Sequence, residues 1–347
     1  MALLAAPLAI VEELAHQRTA DLSQSRGDLP NPTTEWLENR LLSVIPYRIA
    51  SILNFYDLER IRMFSKDQYQ LLDFGDGRRL ERFGEFILDR PSLAADGVTR
   101  QKSELWDSAH ACYVKRNANE GGWHSANQMP LSWKIKHENW DLELKLTDFG
   151  HVGVFPEQSG NWDWMSRQLK ASGETLKILN LFAYTGGATL AAASHGAEVV
   201  HVDSAQNSVL WARRNTVSSG LTGQAIRWIT EDSRKFATRE LKRGNKYHGV
   251  VMDPPSYGHG PKGEVWKIQQ DLDELLDLCM ELTEHDRRFI LISCHTEGYV
   301  PAELEQKLQR ALGNSNHGTF ESGGLAIRAA DGRPLPCGVA VRWCREM

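Results

Sequence analysis

Residues 176–203, LKILNLFAYTGGATLAAASHGAEVVHVD, predict the fold class of this chain. Two short apolar runs, LKILNL and EVVHV, flank a turn with two glycines and a segment rich in alanine. A strand, a crossover helix and a second strand make a βαβ unit, whose two strands pair in parallel. The stretch therefore predicts an α/β domain built on a parallel sheet.

The same alternation continues towards residue 347. Apolar runs at 226–230, 247–252 and 288–294 are each followed by a helix-length segment. Residues 325–343, LAIRAADGRPLPCGVAVRW, predict two strands around an Asp331-Gly332 turn, which add an antiparallel pair at one edge of the sheet. Ligands of such sheets bind beyond the carboxyl ends of the strands, so we expect the chemistry where each strand ends.

Residues 61–155 have a different pattern, with short alternating runs between turn signals. Leu142, Leu144 and Leu146 alternate with polar residues, a period of two that is typical of a half-buried strand. These runs predict a small antiparallel β domain at 61–155, ahead of the α/β domain at 156–347. Residues 1–60 are interpreted as an N-terminal extension, partly mobile because 19–35 are rich in Pro, Ser and Asn.

Composition and charge exclude several classes of protein. The 347 residues include 40 Lys and Arg against 45 Asp and Glu, a formal net charge of −5. This balance excludes a strongly basic, histone-like binder of nucleic acid, but not a local basic groove. The five cysteines form no CxxC pair, so neither a disulfide framework nor a metal site is predicted. No apolar run is long enough to cross a bilayer, and we expect a cytoplasmic protein without membrane contact.

Acidic side chains end the second and third predicted strands. Asp203, at the end of VVHVD, can accept hydrogen bonds from both hydroxyls of a ribose or cap the next helix with help from Ser204. Asp232 and Ser233 likewise either cap a helix or reach an adenine amino group. Taken together, these polar strand ends favour a cofactor that carries a nucleoside.

The fourth predicted strand ends in Asp253-Pro-Pro-Ser-Tyr257, the most specific motif of the chain. The two prolines fix φ and remove two N–H donors, which leaves carbonyl groups as acceptors. The acid, these carbonyls and the ring of Tyr257 predict a slot for a planar nitrogenous ring. The alternative is a rigid strand-to-loop turn. Residues 258–263, GHGPKG, are interpreted as a flexible loop.

Cys294 ends the fifth predicted strand, in ISCHT. A cysteine aligned with the other strand ends is a candidate nucleophile. The alternative is a core residue, because cysteine is among the most buried residue types and packs as a small hydrophobe.

The motifs NLFAYTGG, VVHVD, TEDS, DPPSY and ISCHT, in this order, resemble those of class I S-adenosylmethionine-dependent methyltransferases. More narrowly, they resemble the branch of bacterial 23S ribosomal RNA cytosine-C5 methyltransferases. The resemblance covers residues 149–347 and implies a seven-stranded Rossmann-like sheet that binds S-adenosylmethionine, with the β domain on the substrate side. The branch carries an Asp-Gln-Arg signature before this sheet; here Glu157 and Gln158 match the first two residues and Ser159 replaces the arginine.

The resemblance also implies roles for individual residues. The turn Phe182–Gly186 would hold the methionine part of the cofactor, Asp203 the ribose and Asp232 the adenine. In full, the predicted cofactor contacts are Gln158, Phe182, Ala183, Tyr184, Thr185, Gly186, Asp203, Ser204, Asp232, Ser233, Asp253 and Pro254. The predicted substrate contacts are Pro255, Tyr257, Lys262 and Trp123, the last as a surface on which an exposed base stacks.

In the reaction of this branch, a thiolate adds to C6 of the cytosine and makes C5 nucleophilic towards the methyl group. A base then removes the C5 proton and the cysteine leaves. Cys294 matches the nucleophile position, and Asp253 would hydrogen-bond N3 of the ring.

Two alternatives to C5 methylation are open at this stage. An acid-Pro-Pro-aromatic motif also occurs in methyltransferases that modify nitrogens of a nucleobase, which need no covalent nucleophile. A non-catalytic RNA-binding or assembly protein on the same fold is the third hypothesis. RNA, ribosomal in the leading hypothesis, is the expected partner, and the oligomeric state is left open. Nine Lys and Arg at 213–246 form either a phosphate track or solvated helix faces.

Overall fold

The computed structural model describes residues 64–116, 120–125, 128–313 and 317–346. All of them belong to one compact unit. The predicted N-terminal extension at 1–60 lies outside the described residues. Among the residues that are described, no helix combines the length and apolar character needed to cross a membrane.

A five-stranded sheet opens the described chain. Its strands follow in sequence order and are β1 Tyr69–Gly75, β2 Arg78–Phe83, β3 Phe86–Pro91, β4 Ala111–Lys115 and β5 Gly121–Ser125. The turn at Asp76-Gly77 joins β1 and β2 with positive φ at both residues, as a tight hairpin requires.

One pairing in this sheet differs from the antiparallel domain that the sequence predicts. Strand β3 pairs with β4 in parallel, in the register Leu88 with Ala111. The chain between them crosses the sheet through two 3₁₀ turns, Leu93–Ala95 and Ser103–Ser108. A crossover of this length returns the next strand in the same direction, whereas a short hairpin turn reverses it. A separate hairpin, β6 Trp133–His137 and β7 Trp140–Leu144, then precedes the main sheet.

The main sheet has seven strands in the order β10-β9-β8-β11-β14-β16-β15, which confirms the predicted fold class. Five strands are parallel and the pair β15–β16 is antiparallel at one edge. The strands are β8 Lys177–Leu181, β9 Glu198–Asp203, β10 Ile226–Thr230, β11 Gly249–Met252, β14 Phe289–Cys294, β15 Thr319–Arg328 and β16 Pro334–Cys344. The helices are α1 Ser159–Ser172, α2 Gly187–Ala193, α3 Gln206–Ser218, α4 Ser233–Lys242, α5 Ile268–Thr283 and α6 Pro301–Leu312. A short hairpin, β12 Tyr257–His259 and β13 Val265–Lys267, lies between β11 and α5.

Strand β7 joins the small hairpin to the main sheet through helix α3. The indole N–H of Trp211 donates to the carbonyl of Glu143 at 2.9 Å, and the backbone N–H of Glu143 donates to Asn215 at 2.8 Å. These bonds use the free edge of β7, so its backbone groups are satisfied by side chains rather than by a further strand. The contact fixes the hairpin next to the turn that follows β8.

The turn between β15 and β16 reaches back to the first sheet. Arg333 donates to the buried carboxylate of Asp73 in β1 at 2.6 Å, and its guanidinium lies over the ring of Phe74. The backbone N–H of Ala330 donates to the carbonyl of Leu71. The last strands of the chain therefore hold the first described strand in place.

Candidate active site

The turn after β8 has an unusual backbone conformation. Phe182 and Tyr184 have φ of 53° and 48°, in the left-handed region that non-glycine residues rarely adopt. Three hydrogen bonds hold the turn: Tyr184 N–H to Asp203 at 2.8 Å, the Thr185 hydroxyl to the Gly153 carbonyl at 2.6 Å, and the Asn215 amide to the Thr185 carbonyl at 2.9 Å. Such strain costs about 1–3 kcal/mol per residue and is concentrated at functional sites.

Asp203, at the end of β9, accepts two backbone hydrogen bonds with different oxygens. Oδ2 accepts from Tyr184 and Oδ1 from Ala205, both at 2.8 Å. Burial raises the pKa of Asp203, although these two bonds act in the opposite direction. Each carboxylate oxygen keeps a lone pair beyond those used by the backbone. The side chain therefore fixes the turn and can still accept hydrogen bonds from a ligand.

A pocket lies at the carboxyl ends of β8, β11 and β14. Its walls are mostly apolar, and a few polar side chains point into it, which is typical of a small-molecule site. The lining side chains that carry polar groups are Gln158, Asn161, Trp162, Asn180, Tyr184, Thr185, Asp253 and Ser293. Phe155, Trp162 and Phe182 are among the rings that line the rest.

Four side chains at the base of this pocket form what we call the Asp253 network: Asp253, Gln158, Ser293 and His295. Asp253 accepts from the Ser293 hydroxyl at 2.7 Å and from the Gln158 amide at 3.2 Å. The Gln158 amide is also 3.0 Å from the Ser293 hydroxyl and 3.1 Å from His295 Nε2. Asn161 donates to the other end of Gln158 at 2.7 Å, which fixes the orientation of that amide. The network joins the start of α1 to the ends of β11 and β14.

His295 and Asp253 form an ion pair within the network, with Nε2 3.3 Å from Oδ1. Burial alone would lower the pKa of His295, but the charge of Asp253, a hydrogen bond to it and the charge of Glu157 raise that pKa to about 10. Burial in turn acts to raise the pKa of Asp253, and the contacts with His295, Ser293 and Gln158 lower it overall. At neutral pH the histidine is therefore protonated and the aspartate ionised.

Residues 108–297, more than half of the 347, match the family of S-adenosylmethionine-dependent methyltransferases. The chain belongs to this family. A crystal structure of an S-adenosylmethionine-dependent methyltransferase from Agrobacterium tumefaciens is similar, with 32% identity and a TM-score of 0.77, over 80% of this chain and 91% of that one.

Two curated relatives are similar at lower identity. Ribosomal RNA large subunit methyltransferase I of Salmonella arizonae is 24% identical over 262 residues, which cover 70% of this chain and 63% of that protein. Ribosomal RNA large subunit methyltransferase K of Neisseria meningitidis is 29% identical over 152 residues, or 40% of this chain and 43% of that protein. The chain thus spans less than two thirds of the length of either relative.

The pocket fits S-adenosylmethionine, the cofactor of this family. Asp203 offers free lone pairs at the end of the second strand of the methyltransferase sheet, which is where a ribose needs acceptors. The strained turn Phe182–Gly186 presents its backbone to the same pocket. When bound there, the cofactor supplies an electrophilic methyl group; Asp203, the turn and the apolar walls would hold it.

The structure brings part of the predicted cofactor set together. Gln158, Asp253 and the turn Phe182–Gly186 all line the pocket, and Asp203 is bonded to that turn. Asp232 is elsewhere: it is buried at the end of β10 and accepts a hydrogen bond from Lys235 N–H at 3.0 Å, as the N-cap of α4. A cap and a ligand contact are compatible, so the cofactor roles of Asp232 and Ser233, like those of Ser204 and Pro254, stay predictions.

Cys294 faces away from the pocket. Ser293 and Cys294 are successive residues of β14, so their side chains point to opposite faces of the sheet. The Cys294 side chain is 1% exposed and belongs to the apolar cluster that also contains Tyr299, Leu304 and Val339. Burial raises its pKa, although hydrogen bonds from the backbone N–H and hydroxyl of Thr296 act in the opposite direction.

The segment after Asp253 is more ordered than the sequence predicts. The Pro255 carbonyl, expected to face a ligand, instead accepts a hydrogen bond from the indole of Trp266 at 2.7 Å. Residues 258–263, interpreted as a flexible loop, are part of the β12–β13 hairpin. Tyr257 is 54% exposed on this hairpin, and Lys262 lies in its turn. The substrate contacts of Pro255, Tyr257 and Lys262 stay predictions, but the carbonyl of Pro255 already accepts the hydrogen bond from Trp266.

The packing bears on two further expectations. Trp123 is half-buried, with its ring in a T-shaped contact with Tyr113 and its N–H donated to the Thr147 carbonyl at 2.8 Å, and its stacking role stays a prediction. The basic run at 213–246 is largely neutralised by its own ion pairs: Arg214 with Glu143, Arg227 and Arg243 with Glu240, Arg234 with Asp271, Lys235 with Glu264 and Arg239 with Glu231. Paired cations of this kind make solvated helix faces rather than a phosphate track.

Sequence reasoning did not identify several residues of the site. Ser293, Asn161, Asn180 and Phe155 line the pocket, and Glu157, matched to the family signature but given no role from the sequence, is 3.8 Å from His295 Nδ1. The spacing of Gln158 and Asn161, three residues apart at the start of a helix, was a signal that both share one face. The position of the polar Asn180, next to the end of a buried strand, was a second such signal in the sequence.

Proposed function

We propose that this chain methylates a base of ribosomal RNA, at C5 of a cytosine, with Cys294 as the nucleophile. The names of the curated relatives support ribosomal RNA as the substrate class. The family supports S-adenosylmethionine as the methyl donor.

The observation that supports the choice of C5 is an indirect link, through Thr296, between Cys294 and the motif Asp253–Tyr257. Thr296 hydrogen-bonds the Cys294 thiol and lies 2.8 Å, oxygen to oxygen, from the hydroxyl of Ser256. The thiol is thus one residue away from the slot in which a planar ring would be held. A core cysteine without a role has no need of two polar donors, because it packs as a small hydrophobe.

In this proposal Asp253 and Cys294 have separate roles in the reaction. Asp253, ionised and held by Ser293 and Gln158, accepts a hydrogen bond from the base and fixes its plane. The Cys294 thiolate then adds to C6, which places electron density on C5 for the transfer of the methyl group. A base then takes the C5 proton, and the electrons of that C–H bond expel the thiolate from C6, which restores the aromatic ring and the free cysteine.

This chemistry requires the thiol to become accessible when RNA binds. The thiolate is the reactive form, and burial with a raised pKa keeps Cys294 protonated and covered in the free protein. Rearrangement of Ser256 and the β12–β13 hairpin would uncover it, and this motion would restrict thiolate formation to the RNA complex. Loops that complete a catalytic site only on substrate binding are common in enzymes.

Methylation of a nucleobase nitrogen is the second candidate, and the burial of Cys294 favours it. In that reaction Asp253 orients the amino group or ring nitrogen and no covalent intermediate forms.

Two measurements separate the candidates. The Cys294→Ala protein is expected to lose methyl transfer to ribosomal RNA from a deletion strain, with cofactor binding by calorimetry unchanged. Cys279→Ala is the matched control, because Cys279 is also buried and its pKa is raised by burial to about 12. Mass spectrometry of the nucleosides identifies the methylated atom.

An RNA containing 5-fluorocytidine should become covalently attached to the wild-type protein but not to Cys294→Ala, because fluorine at C5 cannot be removed as a proton. Full methyl transfer by Cys294→Ala would exclude the C5 proposal and leave nitrogen methylation. No transfer by the wild type to any ribosomal RNA would exclude both.

A further inference from the structure

An exposed phenylalanine lies on a turn close to the active site. Phe149 is 77% exposed, on the turn between Thr147 and His151. Single exposed apolar side chains are common on protein surfaces, so a binding role for Phe149 has to be argued from its surroundings. The charged and aromatic side chains that line the pocket beside it are Arg79, Arg90, Lys115, Glu120, Tyr113 and His151. We call Phe149 with Arg79, Arg90, Lys115 and His151 the Phe149 surface.

The turn that carries Phe149 is held from several sides. The Tyr113 hydroxyl donates to the Asp148 carbonyl at 2.7 Å, and the Trp123 indole donates to the Thr147 carbonyl at 2.8 Å. Arg90 donates to the Gly150 carbonyl at 3.2 Å. Gly150 has φ of 78°, and a Cβ there would lie 2.9 Å from the ring of Tyr113. The exposed ring is therefore preorganised, and stacking on it costs little conformational entropy.

Beneath this turn, cations outnumber carboxylates. Arg79 and Arg90 share one buried carboxylate, Glu81. Arg90 forms two hydrogen bonds with it, whereas Arg79 Nε is 3.2 Å from it without hydrogen-bond geometry, and the charge of Glu157 also acts on Arg79. The exposed Lys115 adds a third cation, with no ion pair in the described part of the chain, and Glu120 adds a second carboxylate. Three cations therefore face the two carboxylates Glu81 and Glu120, and Lys115 is the exposed cation that can bind an anion.

Two ring contacts connect this surface to the active site. The ring of His151 is 5.3 Å from that of Phe155, centroid to centroid. Phe155 lines the cofactor pocket, and its ring is 5.9 Å from His295 and 5.4 Å from Tyr184. A nucleic acid strand with one base at Asp253 would place a neighbouring nucleotide within reach of Phe149.

We infer that the Phe149 surface binds the nucleotide next to the target base in single-stranded RNA. The neighbouring base stacks on Phe149, and its phosphate is bound by Lys115. An exposed aromatic ring beside an exposed cation is the combination that proteins use for single strands, because every base has a stacking face and every link a phosphate. This inference rests on the proposed RNA substrate, and it assigns the role predicted for Trp123 to the residue that Trp123 supports.

Binding of a fluorescein-labelled oligocytidylate, followed by anisotropy at several salt concentrations, tests the assignment. Phe149→Ala should weaken binding by roughly 5- to 150-fold, the range for loss of one base stack. Leu131→Ala is the control, because Leu131 is 97% exposed and outside this surface. Lys115→Gln should lower the slope of log affinity against log salt by about 0.7, as expected for one phosphate contact on a single strand. Both side chains are exposed, so the variants should fold, and cofactor calorimetry checks this.

The outcomes distinguish this inference from the proposed function. If the wild type binds the RNA and Phe149→Ala binds as well as Leu131→Ala, the Phe149 surface is wrongly assigned while an RNA substrate stands. If the wild type binds cofactor but neither oligocytidylate nor ribosomal RNA, the RNA substrate itself is refuted, and the surface with it.

Discussion

The Asp253 network and the Phe149 surface both contain ionised groups near the same pocket, but they differ in how completely these charges are paired. In the Asp253 network every charge has a partner: Asp253 accepts from Ser293 and Gln158 and pairs with His295. At the Phe149 surface two arginines share Glu81 and Lys115 faces outward. A closed network holds a reacting group in one orientation, whereas an exposed cation without an ion pair attracts a partner. Changes in the first region should therefore alter turnover, and changes in the second should alter RNA affinity.

The largest effect is expected for Asp253→Asn. The amide keeps the shape of the side chain but removes the charge that pairs with His295 and would hold the base, so kcat should fall by about 100- to 1,000-fold. Transfer of a labelled methyl group to ribosomal RNA measures turnover, and oligocytidylate anisotropy measures affinity. Asp277→Asn, at an exposed ion pair on α5, is the matched control. A loss of RNA affinity with normal kcat would reverse the roles of the two regions.

A smaller effect is expected for His295→Gln, in protein stability and its dependence on pH. The pKa of His295 is raised from an ordinary 6.5 to about 10, so its pairing with Asp253 stabilises the folded protein fully below pH 6.5. That stabilisation is lost as pH rises from 6.5 to 10. Urea unfolding should show the variant about 1–3 kcal/mol less stable than the wild type near pH 6, with the gap closing towards pH 10. A constant gap over this range would mean that the histidine is neutral in the network.

The smallest effect is expected for Arg214→Gln, in the basic run at 213–246. Arg214 is paired with Glu143 and about half exposed, so its removal should change the free energy of unfolding by less than about 1 kcal/mol. Its RNA affinity and salt slope should match the wild type, in contrast to Lys115→Gln. An equal loss of affinity in the two variants would show that RNA also contacts α3.

The sequence predicts the main sheet well, because apolar runs separated by helix-length segments are compatible with few folds other than a parallel α/β sheet. It predicts Asp203 and Asp253 beside the pocket for the same reason, since the carboxyl ends of parallel strands meet at one edge, whereas Gln158 follows only from the resemblance to the family signature. It cannot predict on which face Cys294 lies. Both faces of β14 are buried, so hydrophobicity does not distinguish the position of Ser293 from that of Cys294.

The contacts that the sequence misses depend on pairing in space. The basic run has the highest local density of cations, but the acids that neutralise it come from β7, β10, the β12–β13 hairpin, α4 and α5. Phe149 is one aromatic residue among many in the sequence, and only the support from Tyr113 and Trp123 makes it a rigid, exposed ring. The parallel pairing of β3 with β4 is likewise set by a crossover whose 3₁₀ turns have no strong pattern.

The contact between Arg333 and Asp73 bears on how the chain folds during its synthesis. The two residues are 260 positions apart, and the carboxylate of Asp73 is fully buried. As the polypeptide leaves the ribosome, β1 emerges long before the arginine that neutralises its buried acid. Until then Asp73 has only its local partners, the backbone N–H groups of Gln101 and Lys102 and the indole of Trp106, so the first sheet gains its ion pair with Arg333 last. Shortening the β15–β16 turn should therefore first destabilise β1, at the opposite end of the described chain.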